Sequence, residues 1–136
     1  MKADIVKHID MIECLSKEIP QYESERIETA KERMRSWLKD GGVEVDENRF
    51  EQELIYYLKK LDITEEKVRL AKHLAYFREV MESEESCGKK LGFIAQEMGR
   101  EINTTGSKAN HVEIQRIVVG MKDELEKIKE QLGNIL

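Results

Sequence analysis

The C-terminal run of the chain constrains its fold most. Ile114, Val118, Met121, Leu125, Ile128, Leu132 and Ile135 follow one another at steps of four, three, four, three, four and three. A strict heptad kept over about three repeats specifies one continuous helix with a narrow apolar seam. Such a seam needs a cover. Packing against the chain's own helices is one solution; the length and regularity favour a seam that also meets another subunit.

Helical spacing recurs upstream. Ile5, Ile9, Ile12, Leu15 and Ile19 form one stripe, Pro20 bends or restarts the helix, and Ile27, Ala30, Met34 and Trp37 continue it until Asp40-Gly41-Gly42. Asp46 is placed to cap a helix carrying Phe50, Leu54, Tyr57, Leu58 and Leu61 inward. Asp62 to Glu65 resembles a capping box for a helix that buries Leu70, Leu74, Phe77 and Met81. After the polar run 82–86, Leu91, Ile94, Ala95, Met98 and Ile102 mark a further helix. Asn103 to Ser107 reads as its break, and Asn110 with Glu113 as the next capping box. Charged residues make up 38% of the chain and aromatics 6%, a composition suited to long helices. The expectation is an all-α fold: an elongated, oligomeric bundle of about five helices with long coiled-coil-like members. Residues 1–45 are expected as an N-terminal arm and 46–136 as one helical domain.

The net charge of −5 argues against a simple basic nucleic-acid binder. Charge is uneven, however: Gly88–Asn110 holds Lys89, Lys90, Arg100 and Lys108 against Glu97 and Glu101. That balance is compatible with a phosphate-bearing ligand. Cys14 and Cys87 lie far apart, as expected of reduced thiols. No apolar run suits a membrane span or a signal peptide, so a cytoplasmic protein is expected. P-loop, dinucleotide and zinc signatures are absent.

Two groups of residues carry possible chemistry. Asp62, Glu66, Arg69 and His73 fall at steps of four, three and four, a ladder at the border of the core. It suits proton transfer or a metal, or else a surface pair with a border histidine; the pattern alone favours the latter. Glu97 and Glu101 stack at i, i+4, where like charges repel unless a cation offsets them. They offer oxygen ligands to a divalent ion, with His73 as a third. Arg100 and Lys108 suit phosphate, and Asn103 and Ser107 an anion. Phe93 falls on the polar side of its helix, a position better suited to a subunit interface than to base stacking.

These residues also carry a resemblance. DITEEKVRLAKHLAYF, GKKLGFIAQEMGREINTTGSK and the tail VEIQRIVVGMKDELEKIKEQLGNI resemble the C-terminal half of the YicC-like endoribonuclease family. Asp62, Ile63, Glu65, Glu66, Arg69, Leu70 and His73 stand at the first motif's positions. Gly88, Lys90, Leu91, Phe93, Gln96, Glu97, Arg100, Glu101, Asn103, Thr104, Ser107 and Lys108 stand at the second's. Gly92 and Gly99 depart from it. The resemblance implies a cytoplasmic RNA-cleaving enzyme forming a ring-like hexamer, with a strand-rich N-terminal domain that has no counterpart here. The chain is therefore expected to be part of a longer protein. Two mechanisms follow. In the favoured one, Glu97, Glu101 and His73 hold Mn²⁺ or Mg²⁺, Arg100 and Lys108 stabilise the transition state, and Gln96, Asn103, Ser107 and Arg69 contact substrate. In its rival, His73 deprotonates the RNA 2′-hydroxyl without metal. A different class of function stays open: a helical oligomerisation or RNA-binding module without catalysis of its own.

Overall fold

A computed structural model describes residues 2–40, 47–83 and 88–135, all in helices or the short turns between them. The expected cap at Asp46, the 41–42 glycines, Cys87 and most of the 82–86 run lie outside the described residues. The elements are α1 (Lys2–Glu18), α2 (Pro20–Asp40), α3 (Glu47–Lys60), α4 (Thr64–Glu82), α5 (Gly88–Lys108) and α6 (Val112–Ile135). The fold is all-α, and no helix among the described residues is long and apolar enough to cross a membrane.

Six helices stand where about five were expected because Pro20 separates α1 from α2 rather than bending one helix. Its fixed φ and missing N–H suit the first turn of α2. The helices α1, α4, α5 and α6 close a four-membered ring: α6 packs on α1 and α5, and α4 on α5 and α1. Their stripes form one core, with Ile5, Ile9, Ile12, Phe77, Met98, Ile102, Ile114, Met121 and Ile128 fully buried. Part of the expected N-terminal arm is thus bundle wall. The distal part of α2 pairs with α3 outside that core, where Ala30, Phe50 and Leu54 are buried and Arg35 lies 4.9 Å above the Phe50 ring.

The heptad seam of α6 is consumed within the chain. Ile114, Val118, Met121, Leu125, Ile128 and Leu132 are all at most 3% exposed, covered by α1 and α5. Small residues let these helices approach. A Cβ on Gly106 would stand 3.1 Å from Val118 Cγ1, and one on Gly120 3.2 Å from Leu15 Cδ1.

Charged contacts pin the bundle's rim. His8 on α1 meets Glu124 on α6 at 2.5 Å. Arg78 on α4 bridges Asp10, at 2.6 Å, and Glu13 on α1. The Arg78 guanidinium, and after it Lys17, holds the Glu13 carboxyl below its ordinary range. At the start of α4, Asp62 Oδ1 accepts from the Thr64 hydroxyl at 2.6 Å and the Thr64 N–H at 2.9 Å, which lowers its pKa in the same way. Asp62 thus secures the first turn, while Glu65 turns away to Arg69 instead of completing a capping box.

Two outcomes test this packing. Gly92→Ala meets nothing within 4 Å and should stabilise the fold by about 0.5–1 kcal/mol. Gly106→Ala must displace a buried β-branched Val118 and should lose stability in the same urea titration. The second outcome concerns acid. A lowered folded pKa gives stability that is present above the unfolded carboxyl value and lost as pH falls through the folded one. The urea midpoint should therefore fall between about pH 5 and about pH 2, and Glu13→Gln should flatten that fall.

Candidate functional site

The helix α5 runs unbroken to Lys108, through the segment Asn103–Ser107 expected to end it. Thr104, Thr105 and Ser107 donate their hydroxyls to the carbonyls of Arg100, Glu101 and Asn103, at 2.9, 2.9 and 3.1 Å. Back-bonding four residues upstream lets polar side chains satisfy themselves inside a helix. The turn that follows is closed by Gln115 Nε2, which donates to Gly106 O and Ala109 O at 2.7 Å each. His111, not an Asn110–Glu113 box, caps α6: its Nδ1 accepts from the Glu113 and Ile114 amides at 3.1 and 3.5 Å.

At this end of the bundle four segments meet at an ion pair between a buried glutamate and a partly exposed lysine. The Glu66 side chain is 4% exposed, and its Oε1 lies 2.7 Å from Lys108 Nζ. Lys108 Nζ also donates to Asp62 O at 3.2 Å. Beside it Arg26, from α2, donates to Leu61 O at 2.8 Å and to Lys108 O at 3.4 Å. Lys67 pairs with Glu23 at 2.8 Å, tying α4 to α2 nearby. Lys108, expected as a phosphate ligand, is therefore committed to Glu66 and a carbonyl. Glu66 pairs across helices, whereas Arg69 turns to exposed Glu65 at 3.2 Å.

The pair fixes the register of the antiparallel helices α4 and α5. One heptad from Glu66 along α4 is His73; one heptad from Lys108 back along α5 is Glu101. Glu101 is 6% exposed, and His73 is half-buried. Neither side chain forms a hydrogen bond or ion pair among the described residues. Glu97, one turn further along α5, is half-buried and stands 3.9 Å from Arg100. Farther along the groove Lys90 lies 5.2 Å from the centre of the Tyr76 ring.

The other expected residues lie outside this groove. Phe93, Gln96, Arg100, Asn103 and Ser107, at steps of three, four, three and four, form one exposed stripe of α5. The Arg100 side chain is 72% exposed, so its guanidinium does not share a pocket with Glu97, Glu101 and His73. Nor are three His, Cys, Asp or Glu side chains gathered to hold a metal ion among the described residues. His73, Glu97 and Glu101 thus do not fit a three-ligand site within one chain.

Arg26 and the pairing of Glu66 escaped the sequence reading, yet both leave a trace. Arg26 interrupts the stripe Ile19, Tyr22, Ala30, and Glu66 the stripe Ile63, Leu70, Leu74, where a solvated charge does not belong. Lys108→Met should strand the buried Glu66 carboxylate and cost roughly 3 kcal/mol in urea unfolding. Adding Glu66→Met should restore most of that loss, because the uncompensated charge goes with it.

Comparisons with known proteins give the family of this chain. The family described as "Endoribonuclease YicC-like, C-terminal" matches residues 15–136. A protein of Clostridioides difficile (strain 630), named "Probable endoribonuclease YicC", is 40% identical over 97% of this chain and 46% of its own length. A protein of the same name from Haemophilus influenzae (strain ATCC 51907 / DSM 11121 / KW20 / Rd) is 32% identical over 77% of this chain and 37% of its own length. The chain thus spans about half the length of these curated relatives or less. Through residues 15–136, it belongs to the YicC-like endoribonuclease family, as that family's C-terminal part.

Proposed function

We propose that this chain is the helical half of an RNA-cleaving endoribonuclease, and that the α4–α5 face handles the RNA. One observation carries the reading: the half-buried His73 imidazole on α4 has no partner among the described residues, and the register set by Glu66 and Lys108 brings it to the level of buried Glu101 on α5, beside the exposed α5 stripe. Histidine exchanges protons near neutral pH. RNA carries its own nucleophile in the 2′-hydroxyl. A ring nitrogen of His73 takes that proton as the 2′-oxygen attacks the adjacent phosphorus. The bond to the 5′-oxygen breaks, and the leaving oxygen takes a proton from solvent. The products are a 2′,3′-cyclic phosphate and a 5′-hydroxyl. Arg100, free to reach outward, stabilises charge on the non-bridging oxygens. Gln96, Asn103 and Ser107 extend the same stripe along the strand, and Phe93 offers a ring to a base. Lys108 and Glu66 position α4 against α5. No step here is assigned to Mn²⁺ or Mg²⁺, since no three protein ligands are gathered among the described residues.

A second reading, a helical assembly module without cleavage of its own, is favoured by exposed apolar side chains. Trp37 is 67% exposed on α2, Tyr56 60% on α3 and Val112 67% on α6. Assembly into a homo-oligomer, including a hexamer of the longer protein, belongs to either reading.

The test is cleavage of a structured RNA by this chain and by the longer protein, in chelator and in added Mn²⁺, with product ends identified. His73→Asn should lower cleavage by about a hundredfold, and Arg100→Ala by about tenfold or more, with unchanged helicity and assembly. Cyclic phosphate ends formed in chelator support the mechanism. Unaltered cleavage by His73→Asn overturns it, and assembly without cleavage in both proteins favours the module.

A further inference from the structure

The Arg26 guanidinium is buried, at 8% exposed, yet no carboxylate pairs with it. Its Nη1 donates only to backbone carbonyls, and its buried Nε–H has no partner at all. Every acid close by in the network is already engaged: Glu23 with Lys67, Asp62 with Thr64, Glu66 with Lys108. A buried cation without a counter-ion is costly, and proteins supply one.

A small cavity lies beside Arg26, and its lining contains no acid. Thr29 and Arg33 reach it from α2, Tyr57 from α3, and Asn110 from the α5–α6 turn. Arg33 stands seven residues after Arg26, on the same side of α2. None of these four side chains has a hydrogen-bond or ion-pair partner among the described residues. The cavity measures about 50 Å³, room for roughly four oxygens at the ~10–15 Å³ that a water needs. The unpaired Nε–H of Arg26, with the Arg33 guanidinium, two hydroxyls and an amide that have no partner among the described residues, forms a donor set for an oxyanion. Arginine's planar fork suits phosphate in particular.

We infer that this cavity is a phosphate-binding site, with Arg26 and Arg33 as its cations and Tyr57, Thr29 and Asn110 as neutral donors. Its ligand is a phosphate group, carried by an RNA backbone or by a free nucleotide. The site adjoins the α4–α5 groove through the backbone of Lys108 but uses different side chains, so it does not depend on the cleavage mechanism above.

The experiment follows the Arg26 Nε–H resonance by heteronuclear NMR. The chain is titrated with inorganic phosphate, with sodium chloride at matched ionic strength, with uridine monophosphate, and with a short RNA lacking terminal phosphates. Phosphate should give a saturable shift that chloride does not. Arg33→Gln, at an exposed position that spares the Arg26 contacts, should weaken binding about tenfold; Tyr57→Phe should weaken it less. Arg100→Ala should leave it unchanged, which separates this site from the cleavage reading. Competition by the RNA identifies a backbone phosphate, and competition by the nucleotide alone a free or terminal one; both support the site. A linear, chloride-like shift overturns it, as does undiminished affinity in Arg33→Gln, or saturation by an acidic peptide but not by phosphate.

Discussion

The pairing of buried Glu66 with Lys108 is the contact on which the functional end of this molecule depends. Removing the Glu66 carboxylate from water is expensive, and its attraction to the partly exposed Lys108 returns little more than well-packed apolar side chains would. What the pair supplies is alignment. Lys108 ends α5 and Glu66 opens α4, so their contact at 2.7 Å sets the axial register of two long antiparallel helices. Two carbonyls of the intervening turn, Leu61 O and Asp62 O, then each receive a cation, from Arg26 and from Lys108. Three segments distant in sequence are joined at one point. His73 and Glu101 inherit their shared level from that register, since each lies one heptad from a member of the pair.

The bundle beneath is built to hold this alignment. Gly106 and Gly99 lie one heptad apart on the flank of α5 that meets α6, where added methyl groups would crowd Val118 and Leu125. Another flank of α5 carries Glu97, Glu101 and Lys108, and Lys108 there meets Glu66 of α4. A single helix therefore serves three surfaces: apolar and small residues toward the core, acids and a lysine toward α4, and an exposed stripe from Phe93 to Ser107 toward solvent.

Much of this was legible in the sequence, and the exceptions have physical causes. The stripes of α4, α5 and α6 locate the core because apolar burial imposes helical spacing directly. The heptad of α6 correctly marks a continuous helix with a covered seam, but spacing does not say which helix covers it, and α1 competes successfully for that role. Asn103–Ser107 looked like a break because Thr, Ser, Asn and Gly favour turns; back-bonded hydroxyls and the tight fit of Gly106 override that tendency. The capping boxes failed for a related reason. Several nearby acceptors compete for the same first-turn amides, and His111 wins at α6. Arg26 was invisible to motif reading because its meaning depends on turns 35 and 82 residues away.

The division of α5 into an acidic flank and an outer stripe also bears on how a polyanion would approach. Glu97 and Glu101 on an open surface would repel phosphate. Here Glu101 is buried and Glu97 is shielded by Arg100, whose exposed guanidinium lies 3.9 Å away. An incoming strand meets Arg100, Gln96 and Asn103 before it meets a carboxylate. A patch of mixed charge on an acidic protein is thereby compatible with a nucleic-acid ligand, provided the cations lie outermost, as they do along this helix.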